Sequence, residues 1–317
     1  MIKSIKIIKR NQNNITSILD NKPETDIVFR ELQQDTVGRS GSNPTWGYFY
    51  NNKHGKLKYI GIGLHKEHDY DYPEAAYSEK IWSIIGKKVL KDTRVPEIDV
   101  VEETKGEHGI ISHRLLDNDK EDMIHIRDIL FNKFEREDFK TKKDIFHIED
   151  LLECIRLQIN NPDEFEKVKK QVLHTLLLDA ITNNADRHPN NWALIRDKKT
   201  NSYQLADFDH SSCFTDMYND KSFCTNDGWV SSYITVTKQP NARKGSYGLE
   251  MIEYIFKNYN EETQEFSQNL NNNIEDIILE IKNENLKVDI KKLEKKLRGR
   301  NRLLQRMINR EELEYEQ

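Results

Sequence analysis

The stretch that most constrains this chain runs from Asn161 to Ile195: NPDEFEKVKKQVLHTLLLDAITNN, then the polar loop ADRHPNN, then WALI. Asn161 suits a helix cap, and Pro162 suits the first helical position, where no amide hydrogen is needed. A helix is therefore predicted to start there and to run to the polar loop. Trp192, Leu194 and Ile195 resume an apolar run. With YQLADFD, beyond a turn at Lys198 to Asn201, they predict a short hairpin. Asp186, Arg187, His188, Asn190 and Asn191 are thereby crowded between a helix and a hairpin. An aspartate placed there can take a proton from a hydroxyl, and an asparagine five positions on can offer its carbonyl oxygen to a hard cation.

Upstream, the pattern is that of strands. MIKSIKIIKR alternates lysine with isoleucine and lacks both a long apolar core and a small-residue cleavage site, so it reads as a first strand and secretion by a leader is not expected. WGYFYNN (Trp46 to Asn52) and KLKYIGIGL (Lys56 to Leu64) flank the turn residues KHG and predict a hairpin. PEAAYSEKIWSIIGKKVL (Pro73 to Leu90) has a helical apolar face, and VPEIDVVE and GIISHRLL follow as strand candidates. From about Asp117 the pattern turns helical and, after a polar segment at 211 to 246, ends in three amphipathic helices. The expected fold class is α+β, with a β-rich lobe over residues 1–117, a mainly helical lobe over 118–317 and a ligand cleft between them.

Composition narrows the partners. The net charge of -5 gives no broad reason to bind nucleic acid, and the basic run from Lys291 to Arg306 reads as the solvated face of a C-terminal helix. No apolar run is long enough to span a membrane. Cys154, Cys213 and Cys224 make neither a disulfide framework nor a CxxC zinc site, so a cytoplasmic location is expected.

Asp186 and Asn191 match the needs of phosphoryl transfer, in which the protein orients the acceptor and balances charge on the phosphate oxygens, usually with a second, charged metal ligand. LADFDHSS supplies Asp207 and Asp209 for that role. On an uninterrupted strand these two would point to the same side. The spacing D-x-x-x-x-N, with an aspartate after the next hairpin, is that of kinase catalytic and metal loops.

NNADRHPNNWALI followed by LADFDHSS resembles the HipA-like kinases, and the phosphoinositide kinases share the D-R-H-x-x-N loop. The resemblance follows in order from about residue 35 to 215 and is strongest over 179–212. It implies a two-lobed protein-kinase-like fold that uses ATP and magnesium to phosphorylate serine or threonine on a protein. Asp186 would act on the hydroxyl, and Asn191 with Asp209, or Asp207 on the phosphoinositide-kinase alignment, would hold the metal. Arg187 and His188 would brace the loop, and Trp192 would pack behind it. The Gly/Ser loop with Gly38, Ser40, Gly41 and Ser42 would meet the phosphates, and Ser40 or Ser42 could receive one by autophosphorylation. Lys58 in LKY is the expected phosphate-contacting lysine, with Lys56 and Lys66 as rivals and Glu79 as its ion-pair partner. The family includes toxins and effectors, so an antitoxin or regulatory partner is compatible. The alternatives are a phosphoinositide or small-molecule kinase, and a pseudokinase serving as an interaction module.

Overall fold

The computed structural model describes residues 2–7, 26–31, 45–53, 56–67, 74–102, 108–134, 146–184, 186–214, 234–236, 246 and 248–315. Six antiparallel strands close into a barrel in the order β1-β2-β3-β4-β6-β5: Ile2–Ile7 (β1), Asp26–Glu31 (β2), Thr45–Lys53 (β3), Lys56–Glu67 (β4), Ile98–Glu102 (β5) and His108–His113 (β6). The expected hairpin is β3 with β4, and it sets Asn51 opposite Lys58. Closure comes from β1 meeting β5, with Lys6 opposite Glu102 and Ile7 opposite Val101. Each barrel strand thus has a neighbour on both sides, which leaves no open sheet edge.

Helix α1 (Glu74–Val89) lies within the span expected for it. Ile81, Trp82, Ile85 and Val89 recur at helical spacing and are all 0% exposed. Its polar side chains are also engaged. Ser83 Oγ donates to Pro96 O at 2.5 Å, and the buried Lys80 donates to Ile98 O at 2.7 Å and lies 3.2 Å from Glu284. Helix α1 therefore connects the barrel strand β5 to the C-terminal helices.

The mainly helical region expected from Asp117 onward begins instead with a strand. Glu121–His125 (β7) pairs with Trp192–Asp197 (β9), which pairs with Tyr203–Asp207 (β10), giving a three-stranded sheet ordered β10-β9-β7. Only Met123 and Ile124 are apolar in β7, too few to show a period; the strand exists because β9 offers it an edge. The β9 to β10 hairpin is the one predicted. Arg94 joins this sheet to the segment before it, donating to Glu121 Oε2 at 2.8 Å, Leu115 O at 3.0 Å and Gln204 Oε1 at 2.7 Å. That guanidinium holds the Glu121 carboxyl below its ordinary range.

The other described elements are α2 (Ile126–Phe134), β8 (Phe146–His147), α3 (Ile148–Gln158), α4 (Pro162–Thr182), β11 (Ile234–Thr235), α5 (Gly248–Asn258), α6 (Asn260–Asn283) and α7 (Ile290–Tyr315). Strands β8 and β11 form a short parallel pair that no local pattern signals. The three amphipathic helices α5 to α7 are as expected. On α7, Leu293, Leu297 and Leu304 are 0% exposed, while Lys291, Lys295, Arg302 and Arg306 face outward. No helix among the described residues is long and apolar enough to cross a membrane.

Candidate active site

Helix α4 delivers the loop. Asn161 caps it by accepting from the amides of Asp163 at 2.9 Å and Glu164 at 3.3 Å, and Pro162, Asp163 and Glu164 suit its positive end. At the other end Asn183 takes a left-handed φ of 55°, which asparagine tolerates better than most side chains, and the helix stops. The last turns from Leu176 to Thr182 are buried throughout, including Asp179 at 0% exposed. A carboxylate placed there is costly unless it is paired.

Its partner is Arg187. The guanidinium donates from Nε to Asp179 Oδ2 at 2.6 Å and from Nη2 to Asp179 Oδ1 at 2.8 Å. Nη1 donates to Asn191 O at 3.2 Å and to the Asp207 carboxylate, so one buried side chain joins α4, the loop and the end of β10. The guanidinium carbon lies 5.6 Å from the Trp192 ring and 5.8 Å from the Trp82 ring. Burial opposes the charge on Arg187, but Asp179 and Asp207 more than offset it and hold the guanidinium protonated. Burial pushes the Asp207 carboxyl above its ordinary value, against the pull of Arg187. Arg187 is thus the brace expected of it, and Trp192, 1% exposed, packs behind the loop.

Asn191 links the two halves of the site. Its Nδ2 donates to Asp186 O at 2.8 Å and reaches Asp209 O at 3.5 Å, while its backbone carbonyl accepts from Phe208 N at 3.0 Å. Two carbonyl acceptors on one side of the amide leave only one orientation, with Oδ1 turned away from them. Asp186 is half-buried, with its amide bonded to Asn184 Oδ1 at 3.2 Å and its carbonyl accepting from His188 N at 2.9 Å.

Asp207 and Asp209 differ. Strand β10 ends at Asp207, which is 0% exposed and paired to Arg187, with no hydrogen bond to its Oδ2 among the described residues. Asp209 is half-buried at φ 63°, so the strand alternation that would turn both aspartates the same way does not reach it. No group of three or more His, Cys, Asp or Glu side chains forms a metal cluster among the described residues. A magnesium ion does not need one, since it keeps several waters and takes one or two protein oxygens. The Asn191 Oδ1, the Asp209 carboxylate and the buried Asp207 Oδ2 are hard oxygen donors of the right kind.

Asp186, Asn191, Asp207 and Asp209 therefore gather at one place. Glu79 lies buried on α1, and Lys58 lies on β4 with its side chain outside the described residues, as Lys56 and Lys66 do on the same strand. Gly38, Ser40, Gly41, Ser42 and Cys224 also fall outside the described residues, and Cys154 and Cys213 are buried and not in a disulfide. Three residues of the site were not anticipated: Asp179, Trp82 and His210. For Asp179 a signal existed, a lone charge within the apolar run LLLDAI. Trp82 and His210 carried none, because they meet from distant parts of the chain, ring on ring with centroids 3.3 Å apart.

No family model matches the chain, and no curated protein matches it. Solved structures do. The Helicobacter pylori proinflammatory kinase CtkA superposes with a TM-score of 0.61 at 17% identity, over 89% of this chain and 96% of that one. HipA of the Shewanella oneidensis toxin–antitoxin system, in its complex with HipB and operator DNA, matches with a TM-score of 0.48 at 15% identity, over 98% of this chain and 72% of that one. The chain shares the fold of the kinase CtkA.

Proposed function

We propose that the protein is an ATP- and magnesium-dependent phosphotransferase of the HipA-like kind, acting in the cytoplasm on a serine or threonine hydroxyl of a protein. The observation that carries this reading is the Asn191 amide, which ties the Asp186 and Asp209 backbones together and leaves Oδ1 for another use. The similarity of fold to a known kinase supports it. In this reading residues 1–117 are the nucleotide-holding lobe and residues 118–317 the catalytic lobe, a boundary favoured by β7 pairing with β9 rather than with the barrel.

Asp186 orients the acceptor hydroxyl and takes its proton. Asn191 Oδ1 and the Asp209 carboxylate would hold magnesium, with Asp207 as a nearby charge that Arg187 keeps in place. An ion held there would offset the charge that builds on the phosphate oxygens. Lys58 and the Gly38 to Ser42 loop hold the triphosphate, and Glu79 pairs with Lys58. An antitoxin or other regulatory partner belongs to the same reading.

The test is transfer of labelled γ-phosphate from ATP, to the protein itself or to proteins of a cell lysate. Asp186→Ala is expected to lower the rate by about 100-fold or more, while ATP binding and thermal stability stay near wild type. A variant that transfers phosphate at the wild-type rate rules out Asp186 as the base.

A further inference from the structure

We propose that Trp82 and His210 are positioning residues for Asp209, holding the turn that presents its carboxylate to a divalent cation; this rests on the phosphotransferase reading above. Asp209 sits at φ 63°, a left-handed conformation that aspartate visits more readily than most side chains but that is held more firmly where neighbours fix the turn. On one side that neighbour is Asn191, which accepts from Phe208 N and reaches Asp209 O. On the other side it is the residue that follows, His210.

The His210 ring lies flat on Trp82, with centroids 3.3 Å apart and planes inclined by 13°, and both side chains are buried. Its Nδ1 is 3.2 Å from Arg187 Nη2. A guanidinium can only donate, so Nδ1 is the acceptor and the imidazole is held in one orientation. The chain after His210 is seated on the same helix. Cys213 N donates to His210 O at 3.1 Å, and Ser78 Oγ on α1 donates to Cys213 O at 2.8 Å. Ser78 and Trp82, one turn apart, thus grip the segment that follows Asp209 at two points.

The Trp82 ring is itself confined. A Cβ on Gly86, one turn further along α1, would lie 2.8 Å from Trp82 Cζ3, so the indole packs directly over the glycine. Helix α1 is fixed in turn by Lys80 and Ser83, through Ile98 O, Glu284 and Pro96 O. The turn at Asp209 is therefore referred to α1, the helix that also carries Glu79. Residues that orient a ligand without touching the metal typically change metal affinity by about 10- to 100-fold when removed.

The test is Mn²⁺ affinity, read by electron paramagnetic resonance in the presence of ATP, together with the magnesium dependence of phosphate transfer. His210→Ala and Trp82→Leu are each expected to weaken Mn²⁺ binding by about ten-fold, with the double variant little worse than either, because both act through one contact. Excess magnesium should restore much of the lost transfer rate, which a general loss of folded protein would not allow. If His210→Ala does not fold, His210→Asn takes its place: its Oδ1 keeps an acceptor for Arg187 while the stacking ring is lost. A folded variant that binds Mn²⁺ with wild-type affinity overturns the positioning role alone. A wild-type chain that binds neither Mn²⁺ nor ATP overturns the phosphotransferase reading, and this proposal with it.

Discussion

Arg187 and Asp179 meet in a two-point ion pair, Nε to Oδ2 at 2.6 Å and Nη2 to Oδ1 at 2.8 Å, with both side chains 0% exposed. The pair staples the loop to the helix that delivers it, and Asp207 shares the same guanidinium. Such buried pairs add little net stability, but removing one partner strands the other charge in an apolar interior. Arg187→Met is therefore expected to cost about 3–5 kcal/mol in urea unfolding. Arg187→Lys should lose much of the same, since an ammonium cannot match the fork. A loss below about 1 kcal/mol for Arg187→Met would show that the two aspartates are neutralised by other means.

Asn191→Asp looks conservative and is expected to be severe. Nδ2 becomes an oxygen facing the Asp186 and Asp209 carbonyls, so two attractive contacts turn repulsive in a residue only 2% exposed. The loss should be about 1–3 kcal/mol in stability, with phosphate transfer abolished even though a carboxylate is the better metal ligand. Activity retained in this variant would show that the site does not depend on the two tethers.

His174 gives the protein an acid-sensitive point away from the site. It is 2% exposed, lies 2.9 Å from Glu262 O through Nε2, and is pushed down to about 4 by burial. The unfolded chain binds a proton at a pKa of about 6.5 and the folded chain only near 4. The contribution is therefore whole above pH 6.5, falls away as pH drops toward 4, and amounts to about 3 kcal/mol. Comparing the pH dependence of unfolding for wild type and His174→Gln isolates this group from the carboxylates. Equal slopes between pH 6.5 and 4 would contradict it.

Two glycines are expected to respond to alanine with opposite signs. A methyl added to Gly299, within α7, would meet nothing within 4 Å, so Gly299→Ala should stabilise the protein by about 1 kcal/mol through helix propensity alone. Gly86→Ala places a methyl 2.8 Å from a Trp82 ring that rests on His210 and has little room to yield. It should destabilise by about 1–3 kcal/mol despite the same gain in propensity. Thermal unfolding of the two single variants decides the matter.

Much of the site was legible because its signals are local. The Asn161 cap, Pro162 and the apolar run to Ile181 specify a helix, and the Lys198 to Asn201 turn specifies a hairpin, so the residues from Asp186 to Asn191 had to lie between them. The different settings of Asp207 and Asp209 were not legible. They depend on where β10 stops and on the left-handed backbone at Asp209, and neither leaves a mark in the order of side chains.

The sequence by itself determined the helices, the two hairpins and the chemical identity of the groups that converge, since capping, turn residues and periodicity act over a few positions. The tertiary structure alone decided that β1 closes on β5, that β7 joins the sheet, and that Arg187 binds both Asp179 and Asp207 while Trp82 lies on His210. These contacts join residues that local patterns do not connect. Their energy comes from burying rings and from pairing backbone and charged groups away from water, and it exists only once the chain has brought them together.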